Sequence, residues 1–410
     1  MNILRGLTLR RTGAFAFVCA FALVASPALA SRHRHAKAAV KAEASEESAE
    51  AGSTETLKGP YQAACVIEPN SGTVVFAKNE HQPWPTASLA KMMLMEIVAE
   101  KLDDGSLKLT DQIPTSEKAA KMGGSQVYLK PGESFSLDDT MKAIIVHSAN
   151  DSSVAMAEYL AGSTEAFVPM MNAEAAKLGM KDSHYYSVHG LPPTAGQQAD
   201  VASAYDQALL ARALVKHPQI LQWSGITTAP FRANTMELRN SNHLVFNYNG
   251  CDGLKTGFYY KAGFNVVATA HRDGLRLIAV VLGSPRKNEN FRSAGELLSM
   301  GFAQYEMKAI AKKGSASSVS VAVADGSAPK LVPVWGDDAA VFTKRGDNKS
   351  IYKVNYVVPA MVAAPIRAGQ KIGSAEVIVD GQSTTTVALL APSDIAAKKA
   401  TLASRLLNKF

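Results

Sequence analysis

Cysteine is scarce in this chain, which has 3 cysteines among 410 residues. They form no Cys-x-x-Cys pair, and the histidines lack the spacing of metal ligands. The sequence therefore predicts neither a metal site nor a bound cofactor. Cys19 lies near the N-terminus, which leaves Cys65 and Cys251 in the body of the chain. These two could pair in an oxidising compartment, or they could remain buried free thiols.

Long apolar runs are also few, and the clearest one stands near the N-terminus. Several arginines precede a short apolar run at residues 14–25, and Ala28-Leu29-Ala30 forms a small-x-small cleavage site. This order is typical of a secretory signal peptide, which we predict over residues 1–30. A membrane anchor is the alternative, but a span needs about 20 apolar residues. We therefore expect export to the periplasm or cell envelope.

Charge of one sign is not in large excess, because 43 Lys and Arg stand against 36 Asp and Glu. The predicted signal peptide carries part of the remaining positive charge. No dense cluster of Lys and Arg is interleaved with aromatic residues. The sequence therefore gives no reason to expect binding to nucleic acid.

Composition and periodicity divide the rest of the chain. Residues 31–58 are rich in Ala, Glu, Ser and Lys without any aromatic residue, which predicts a disordered linker. Residues 59–305 have strand-like runs at both ends and helical patterns between them, which predicts an α+β domain with a mainly antiparallel sheet packed by helices. Residues 306–391 show short alternating strands separated by turns, typical of a small all-β sandwich. Helices are predicted at about 87–102, 137–147, 151–161, 164–178, 199–216 and 291–302.

The last segment, residues 392–410, has the pattern of an amphipathic helix. Ile395, Leu402, Leu406 and Phe410 fall on one helical face, with basic residues beside it. Such a helix can lie on a membrane surface. The alternative is a short helix that packs on the preceding β-domain.

Ser88-Leu89-Ala90-Lys91 opens the first long predicted helix. Side chains three residues apart meet on one helical face. A serine hydroxyl becomes a good nucleophile when a base takes its proton, and a lysine with a lowered pKa can be that base. Alone, this pattern is weak, because Ser-x-x-Lys also occurs at ordinary helix starts.

Two further short motifs follow at long intervals. Ser148-Ala149-Asn150 falls between predicted helices, where a hydroxyl can pass on a proton and an amide can hold a peptide. Lys255-Thr256-Gly257 lies in a strand-like run, where a cation and a hydroxyl suit a substrate carboxylate and glycine allows close approach to the backbone. The alternatives are helix capping for the first motif and a protective edge lysine for the second.

In this order, the three motifs are those of penicillin-binding proteins and class A β-lactamases. The chain closely resembles the low-molecular-mass D-alanyl-D-alanine carboxypeptidases, serine peptidase family S11. The resemblance extends over about residues 59–302 and more loosely into the β-domain. The segments that carry it are Pro85–Met93, Tyr128–Glu133, His189–Leu191, Asp252–Gly257 and Ala262–Asn265.

The resemblance implies a role for each motif residue. Ser88 would form the acyl-enzyme, Lys91 would be its general base, and Ser148 would relay protons. Asn150 would hold the substrate backbone, while Lys255 and Thr256 would bind the terminal carboxylate. The backbone N–H groups of Ser88 and Phe258 would form the oxyanion hole, beside Gly257. Some family members have His or Thr where Phe258 stands; only the backbone N–H is needed there, so the departure leaves catalysis as expected and puts only the substrate preference at that edge in question.

The implied partners are peptidoglycan stem peptides that end in D-Ala-D-Ala, with β-lactam antibiotics as inhibitors. A DD-endopeptidase that cuts cross-links is a close alternative. A β-lactamase is less favoured, because such enzymes usually lack a β-domain. A non-catalytic wall-binding protein is disfavoured because Ser88 and Lys91 are both present. His147 and His189 are expected to pack or cap rather than to act as bases.

Overall fold

The computed structural model describes residues 59–347, 352–379 and 382–398. The predicted signal peptide and linker, residues 1–58, lie outside this part of the chain. The predictions for those two segments therefore stay predictions.

The first described region, up to Gln304, combines strands at its two ends with helices between them. Its strands are β1 (Ala63–Ile67), β2 (Val74–Lys78), β3 (Trp84–Pro85), β4 (Gln112–Pro114), β5 (Ser134–Ser136), β6 (Val201–Ala202), β7 (Thr228–Phe231), β8 (Met236–Arg239), β9 (Cys251–Tyr259), β10 (Gly263–Arg272) and β11 (Leu275–Ser284). Its helices are α1 (Lys91–Asp103), α2 (Glu117–Ala120), α3 (Leu137–Ile145), α4 (Asn150–Ala161), α5 (Thr164–Lys177), α6 (Ala204–Leu214), α7 (Pro218–Ser224), α8 (Leu244–Asn247) and α9 (Glu289–Gln304).

The central sheet has the strand order β2-β1-β11-β10-β9, and the pairs are antiparallel. Both ends of the region therefore build one sheet, which confirms the predicted α+β class. Strand β1 is buried on both faces. Cys65 and Ile67 join the core on one side of the sheet, whereas Ala64 and Val66 join the core on the other. This alternation follows from the two-residue period of a strand.

Local sequence signals explain most helix boundaries. Ser136 caps α3 by accepting a hydrogen bond from the backbone N–H of Asp139, as the capping rule predicts. The helix predicted from residue 199 begins only at Ala204, because β6 first pairs with β3. Helix α7 and the β7–β8 hairpin were not predicted, since their apolar patterns are short.

The second described region is all-β, as predicted, and its first strand begins at Tyr305. Its strands are β12 (Tyr305–Ala311), β13 (Val321–Ala324), β14 (Lys330–Leu331), β15 (Val334–Trp335), β16 (Ala339–Lys344), β17 (Tyr352–Val357), β18 (Met361–Ala363), β19 (Lys371–Val379) and β20 (Gln382–Leu390). Three sheets have the orders β12-β16, β14-β13-β18 and β15-β20-β19-β17. The rings of Tyr305 and Phe342 stack with centroids 4.9 Å apart.

The predicted start of the tail helix at Pro392 is wrong. Residues 392–398 are not helical, and Ile395 forms a β-bridge with Ile366. Ile395 is 8% exposed and belongs to the β-domain core, so an apolar residue assigned to a membrane face is used in packing instead. Residues 399–410, with the rest of the predicted helix, lie outside the described part of the chain.

The two cysteines in the described part of the chain are free thiols. Cys65 is buried in β1. Burial raises the pKa of Cys65 to about 12 and that of Cys251 to about 11. Both thiols therefore stay protonated, and neither is suited to nucleophilic chemistry.

Candidate active site

Ser88 lies in a 3₁₀ turn, Ala87–Ala90, that leads directly into α1. Side chains at positions i and i+3 eclipse one another in a 3₁₀ turn, and the Nζ atom of Lys91 lies 2.9 Å from Ser88 Oγ. Ala87 has a φ of 49°, a left-handed conformation that is costly for a residue with a side chain. The backbone is thus strained immediately before the predicted nucleophile.

Lys91 is buried, with no exposed surface. Burial lowers the pKa of Lys91 well below its usual value, and the charge of Lys255 lowers it further; the carboxylates of Asp200 and Asp151 oppose these effects. Its Nζ also donates to the backbone carbonyl oxygen of His189 at 2.6 Å. A neutral amine held in this way can keep its lone pair directed at the Ser88 hydroxyl. The arrangement suits a general base.

Ser148 and Lys255 form the second pair in the site. Lys255 Nζ donates to Ser148 Oγ at 2.7 Å and to the carbonyl oxygen of Thr256 at 3.0 Å. Burial lowers the pKa of Lys255 to about 7. Among the hydrogen bonds of the described residues, Lys91 binds Ser88 and His189 rather than Ser148. The Ser148 hydroxyl, which is the predicted proton relay, is therefore hydrogen-bonded to Lys255 rather than to Lys91.

Asn150 begins α4, and its backbone N–H donates to the carbonyl oxygen of Ser125 at 2.7 Å. Its side-chain Nδ2 donates to the carbonyl oxygen of Gly123 at 2.7 Å. Its Oδ1 is buried and has no partner among the described residues. One side of the amide thus fixes the loop, and the buried acceptor on the other side has no hydrogen-bond donor among the described residues.

Strand β9 brings the third motif to the edge of the central sheet. Thr256 Oγ1 donates to Ser241 Oγ at 2.8 Å, so Ser241 orients this hydroxyl. Sequence reasoning missed Ser241, because a lone serine in a loop matches no motif.

Packing requires glycine at position 257, whereas the sequence predicted glycine there for the close approach of substrate to the backbone. A Cβ atom built on Gly257 would lie 2.6 Å from the carbonyl oxygen of Thr86 and 3.1 Å from the nitrogen of Ser88. Real Cβ atoms do not approach backbone atoms as closely as 2.6 Å. Glycine is therefore needed so that β9 can pack against the nucleophile turn, before any approach by substrate is considered.

Phe258 follows on β9, with 55% of its surface exposed. Its ring stacks on Phe264 with centroids 4.1 Å apart. Offset or tilted stacking of this kind stabilises an aromatic pair beyond its area of contact. The Phe258 side chain is thus a fixed, half-open aromatic surface beside the motif.

The loop that carries His189 and Gly190 packs against the nucleophile turn. Gly190 has a φ of 74°, and a Cβ atom there would lie 1.9 Å from the carbonyl oxygen of Ala87. The His189 ring accepts a hydrogen bond from the Leu191 N–H at 3.0 Å. Burial, and then the charge of Lys91, lowers the pKa of His189 to about 4. The ring is therefore neutral and supports the loop, while the His189 carbonyl oxygen reaches Lys91.

Within the described ranges, no group of His, Cys, Asp and Glu residues could hold a metal ion. Among the same residues, no helix is long and apolar enough to cross a membrane.

Two family models match this chain. The one described as D-alanyl-D-alanine carboxypeptidase matches residues 51–286. The one described as penicillin-binding protein 5, C-terminal domain, matches residues 305–397. The second match ends where the β-bridges of the β-domain end, so both place the end of this domain beyond residue 391, where the sequence had predicted it.

Curated relatives match over most of their length. The D-alanyl-D-alanine carboxypeptidase DacF of Bacillus subtilis is 34% identical over 349 residues, which are 84% of this chain and 87% of the relative. The D-alanyl-D-alanine carboxypeptidase DacC of Escherichia coli is 32% identical over 339 residues, which are 80% of this chain and 83% of the relative.

Solved structures of similar proteins share the fold. Penicillin-binding protein 5 of Haemophilus influenzae has a TM-score of 0.62 at 27% identity, covering 84% of this chain and 100% of that one. A peptidoglycan synthesis regulatory factor (PBP3) of Streptococcus pneumoniae has a TM-score of 0.70 at 26% identity, covering 82% and 99%. Penicillin-binding protein D2 of Listeria monocytogenes, solved in an ampicillin-bound form, has a TM-score of 0.55 at 28% identity, covering 60% and 99%.

Proposed function

The chain belongs to the D-alanyl-D-alanine carboxypeptidase family, and on this premise we propose that it removes the terminal D-alanine from peptidoglycan stem peptides through an acyl-enzyme on Ser88. The observation that supports this proposal most directly is the 2.9 Å contact between Ser88 Oγ and the buried Nζ of Lys91. An amine whose pKa is lowered by burial can take the hydroxyl proton near neutral pH.

In the acylation step, Ser88 Oγ attacks the carbonyl carbon of the penultimate D-alanine while Lys91 takes the hydroxyl proton. The backbone N–H groups of Ser88 and Phe258 stabilise the oxyanion. The C–N bond then breaks, and the proton that Lys91 took from Ser88 passes to the leaving amine through the Ser148 hydroxyl, so that Lys91 is neutral again. Free D-alanine departs, and the peptide remains as an ester on Ser88. Water attacks this ester while neutral Lys91 takes its proton, the ester C–O bond breaks, and Lys91 returns the proton to Ser88 Oγ as the shortened peptide acid departs.

Recognition of the chain end falls to β9. Lys255 supplies positive charge and Thr256 supplies a hydroxyl for the terminal carboxylate, in a charge-assisted contact. The unpartnered Oδ1 of Asn150 is an acceptor for an amide N–H of the stem peptide. A buried acceptor without a partner is costly, so a substrate N–H that donates a hydrogen bond to it gains affinity.

β-Lactams are proposed to acylate the same hydroxyl. Their strained amide takes the place of the D-Ala-D-Ala bond, and Ser88 opens the ring to give a stable ester. The bound drug in the relative from Listeria monocytogenes supports this proposal.

The cell envelope is the proposed location, because the substrate is found there. Residues 1–30 would direct export. Contact with the outer face of the cytoplasmic membrane is proposed only for the segment beyond Lys398. Full-length protein and a variant truncated after Lys398 should differ in flotation with anionic vesicles at low salt, and equal flotation would contradict the contact.

A direct assay tests the activity and separates it from the endopeptidase alternative. The mature chain is incubated with a peptide ending in D-Ala-D-Ala and, separately, with a cross-linked peptide dimer. Release of D-alanine from the first substrate at the higher kcat/KM is expected. Preferred cleavage of the dimer would mean an endopeptidase. Ser88→Ala is the control and should release nothing above background.

A further inference from the structure

Asp200 is a buried carboxylate close to the site, and no motif of the sequence marks it. It is 4% exposed. One of its oxygens accepts from the backbone N–H groups of Tyr186 and Ser187 at 2.6 and 2.8 Å. The other accepts from the Ser187 hydroxyl at 2.6 Å. Three donors on one carboxylate are a strong local constraint, because hydrogen bonds to a charged group are the stronger kind.

Ser187 connects the Asp200 carboxylate to the backbone segment that contacts Lys91. Its Oγ accepts hydrogen bonds from the backbone N–H groups of Gly190, at 2.9 Å, and of His189, at 3.4 Å. The peptide units on both sides of His189 are thereby fixed. The carbonyl oxygen of His189 is the atom that receives the Lys91 Nζ at 2.6 Å.

Asp200 also holds the nucleophile turn from its backbone. Its carbonyl oxygen accepts from the Thr86 N–H at 3.0 Å, two residues before Ser88. One residue thus contacts both the turn that carries the nucleophile and the loop that orients the base.

We propose that Asp200 is a positioning residue for acylation, which acts through Ser187 to place the His189 carbonyl oxygen and so direct the Lys91 amine at Ser88. The inference rests on the proposed function of Ser88 and Lys91. The Asp200 carboxylate has a second effect, because its negative charge near Lys91 favours the protonated amine.

Charged groups reach Lys91 from each element around it. Lys255 approaches from β9 and lowers the pKa of Lys91, while Asp151 at the start of α4 and Asp200 raise it. His189 contributes no charge, since its pKa is about 4. Removal of the Asp200 charge therefore lowers the pKa of Lys91 further. More Lys91 is then neutral at a given pH, and the acid limb of acylation moves to lower pH.

The groups near Asp200 do not cancel this effect. Burial raises the pKa of Asp200, whereas hydrogen bonds from Ser187 and Tyr186 and the charge of Lys91 lower it. The phenols of Tyr185 and Tyr259 also lie in the field of Asp200 and have raised pKa values, so they stay neutral. The charge that changes in an Asp200→Asn variant is therefore that of the carboxylate itself.

The test measures the rate of penicillin acylation from pH 5 to 9 in the full chain. Asp200→Asn should lower the plateau rate by about 10- to 100-fold, the size of effect expected when a reacting group is misplaced by about 1 Å, and should move the acid limb to lower pH. Ser187→Ala keeps the carboxylate but loses the link, so it should lower the plateau without moving the limb. Ser187→Ala also keeps the inference testable if Asp200→Asn fails to fold.

Asp206→Asn is the matched control. Asp206 is a buried carboxylate that supports the same loop, accepting from the Asp182 N–H and the Ser183 hydroxyl at 2.7 Å each. It should lower the melting temperature without changing the acylation profile. An unchanged profile in both Asp200→Asn and Ser187→Ala, or the same limb shift in Asp206→Asn, would overturn the inference alone. A wild-type chain that penicillin does not acylate would overturn the proposed function and the inference with it.

Discussion

The hydroxyl of Ser148 accepts a hydrogen bond from the ammonium group of Lys255 at 2.7 Å, and this contact links the second and third motifs. Ser148 has a φ of 65°, a conformation that most residues with a side chain avoid. Structure around the site thus holds the hydroxyl against Lys255. In the proposed function, Ser148 relays the proton and Lys255 binds the substrate carboxylate, so this contact would bring the two tasks together.

The pKa of about 7 for Lys255 predicts a pH-dependent affinity for the substrate. Lys255 is charged below that pH and becomes neutral above it. KM for a peptide with a free terminal carboxylate should therefore rise as the pH increases from 7 to 9. Steady-state kinetics across this range tests the prediction, with the C-terminally amidated peptide as a control that should not be cleaved. A constant KM, or equal turnover of acid and amide, would argue against carboxylate recognition by Lys255.

Gly257→Ala should disable the site by displacing the backbone of the nucleophile turn. The added methyl group meets the carbonyl oxygen of Thr86 at 2.6 Å, and backbone cannot rotate away as a flexible side chain can. Overpacking of this kind typically costs about 1–3 kcal/mol of stability. Acylation by penicillin should also slow by about 100-fold, because the nucleophile turn moves.

Gly295→Ala is the matched control for that variant. Gly295 lies inside α9, and an added Cβ atom would meet the Tyr248 ring at an ordinary 3.5 Å. Alanine is a better helix former than glycine by about 1 kcal/mol, so this variant should keep its acylation rate and not lose stability. Equal rates for Gly257→Ala and the wild type would show that β9 can retreat from the turn.

Ser241→Ala removes the acceptor of the Thr256 hydroxyl. A neutral hydrogen bond contributes about 0.5–1.5 kcal/mol, which corresponds to about a 2- to 10-fold loss in kcat/KM. The loss should appear mainly in KM for the free-acid peptide, since the hydroxyl is proposed to bind the carboxylate. A fall confined to kcat would instead place Ser241 in the chemical step.

Ile395→Ala tests the corrected boundary of the β-domain. Ile395 is 8% exposed in the core with Val321 and Ile366, and truncation of a buried isoleucine to alanine costs about 2–5 kcal/mol. Thermal unfolding of the β-domain should move to lower temperature, while truncation after Lys398 should leave it unchanged. An unchanged melting temperature in Ile395→Ala would contradict its place in the core and favour the membrane-facing position that the sequence pattern suggested.

The sequence predicted the elements that depend on local signals. The periodicity of the long helices, like the serine that caps α3, specifies structure over a few residues. The same holds for Ser88 and Lys91, because a spacing of three brings two side chains together in any helical turn.

The features that the sequence did not predict depend on distant partners. Ile395 fits a helical face by spacing, but its pairing with Ile366 decides its structure. The proposed role of Asp200 depends on a hydrogen-bond path through Ser187, and the need for glycine at position 257 depends on the closeness of Thr86. Such contacts arise only when the sheet and the loops meet, and no short pattern in the sequence records them.

The central claim is that Ser88 is the nucleophile and Lys91 its base, and intact-mass measurement after penicillin treatment tests it most directly. The wild type should gain the mass of one drug molecule, and Ser88→Ala should gain none. Lys91→Ala should fold normally but gain the mass about 100- to 10,000-fold more slowly, as expected for loss of a positioned base. An unmodified wild type, a modified Ser88→Ala, or Lys91→Ala that reacts at the wild-type rate would contradict the account.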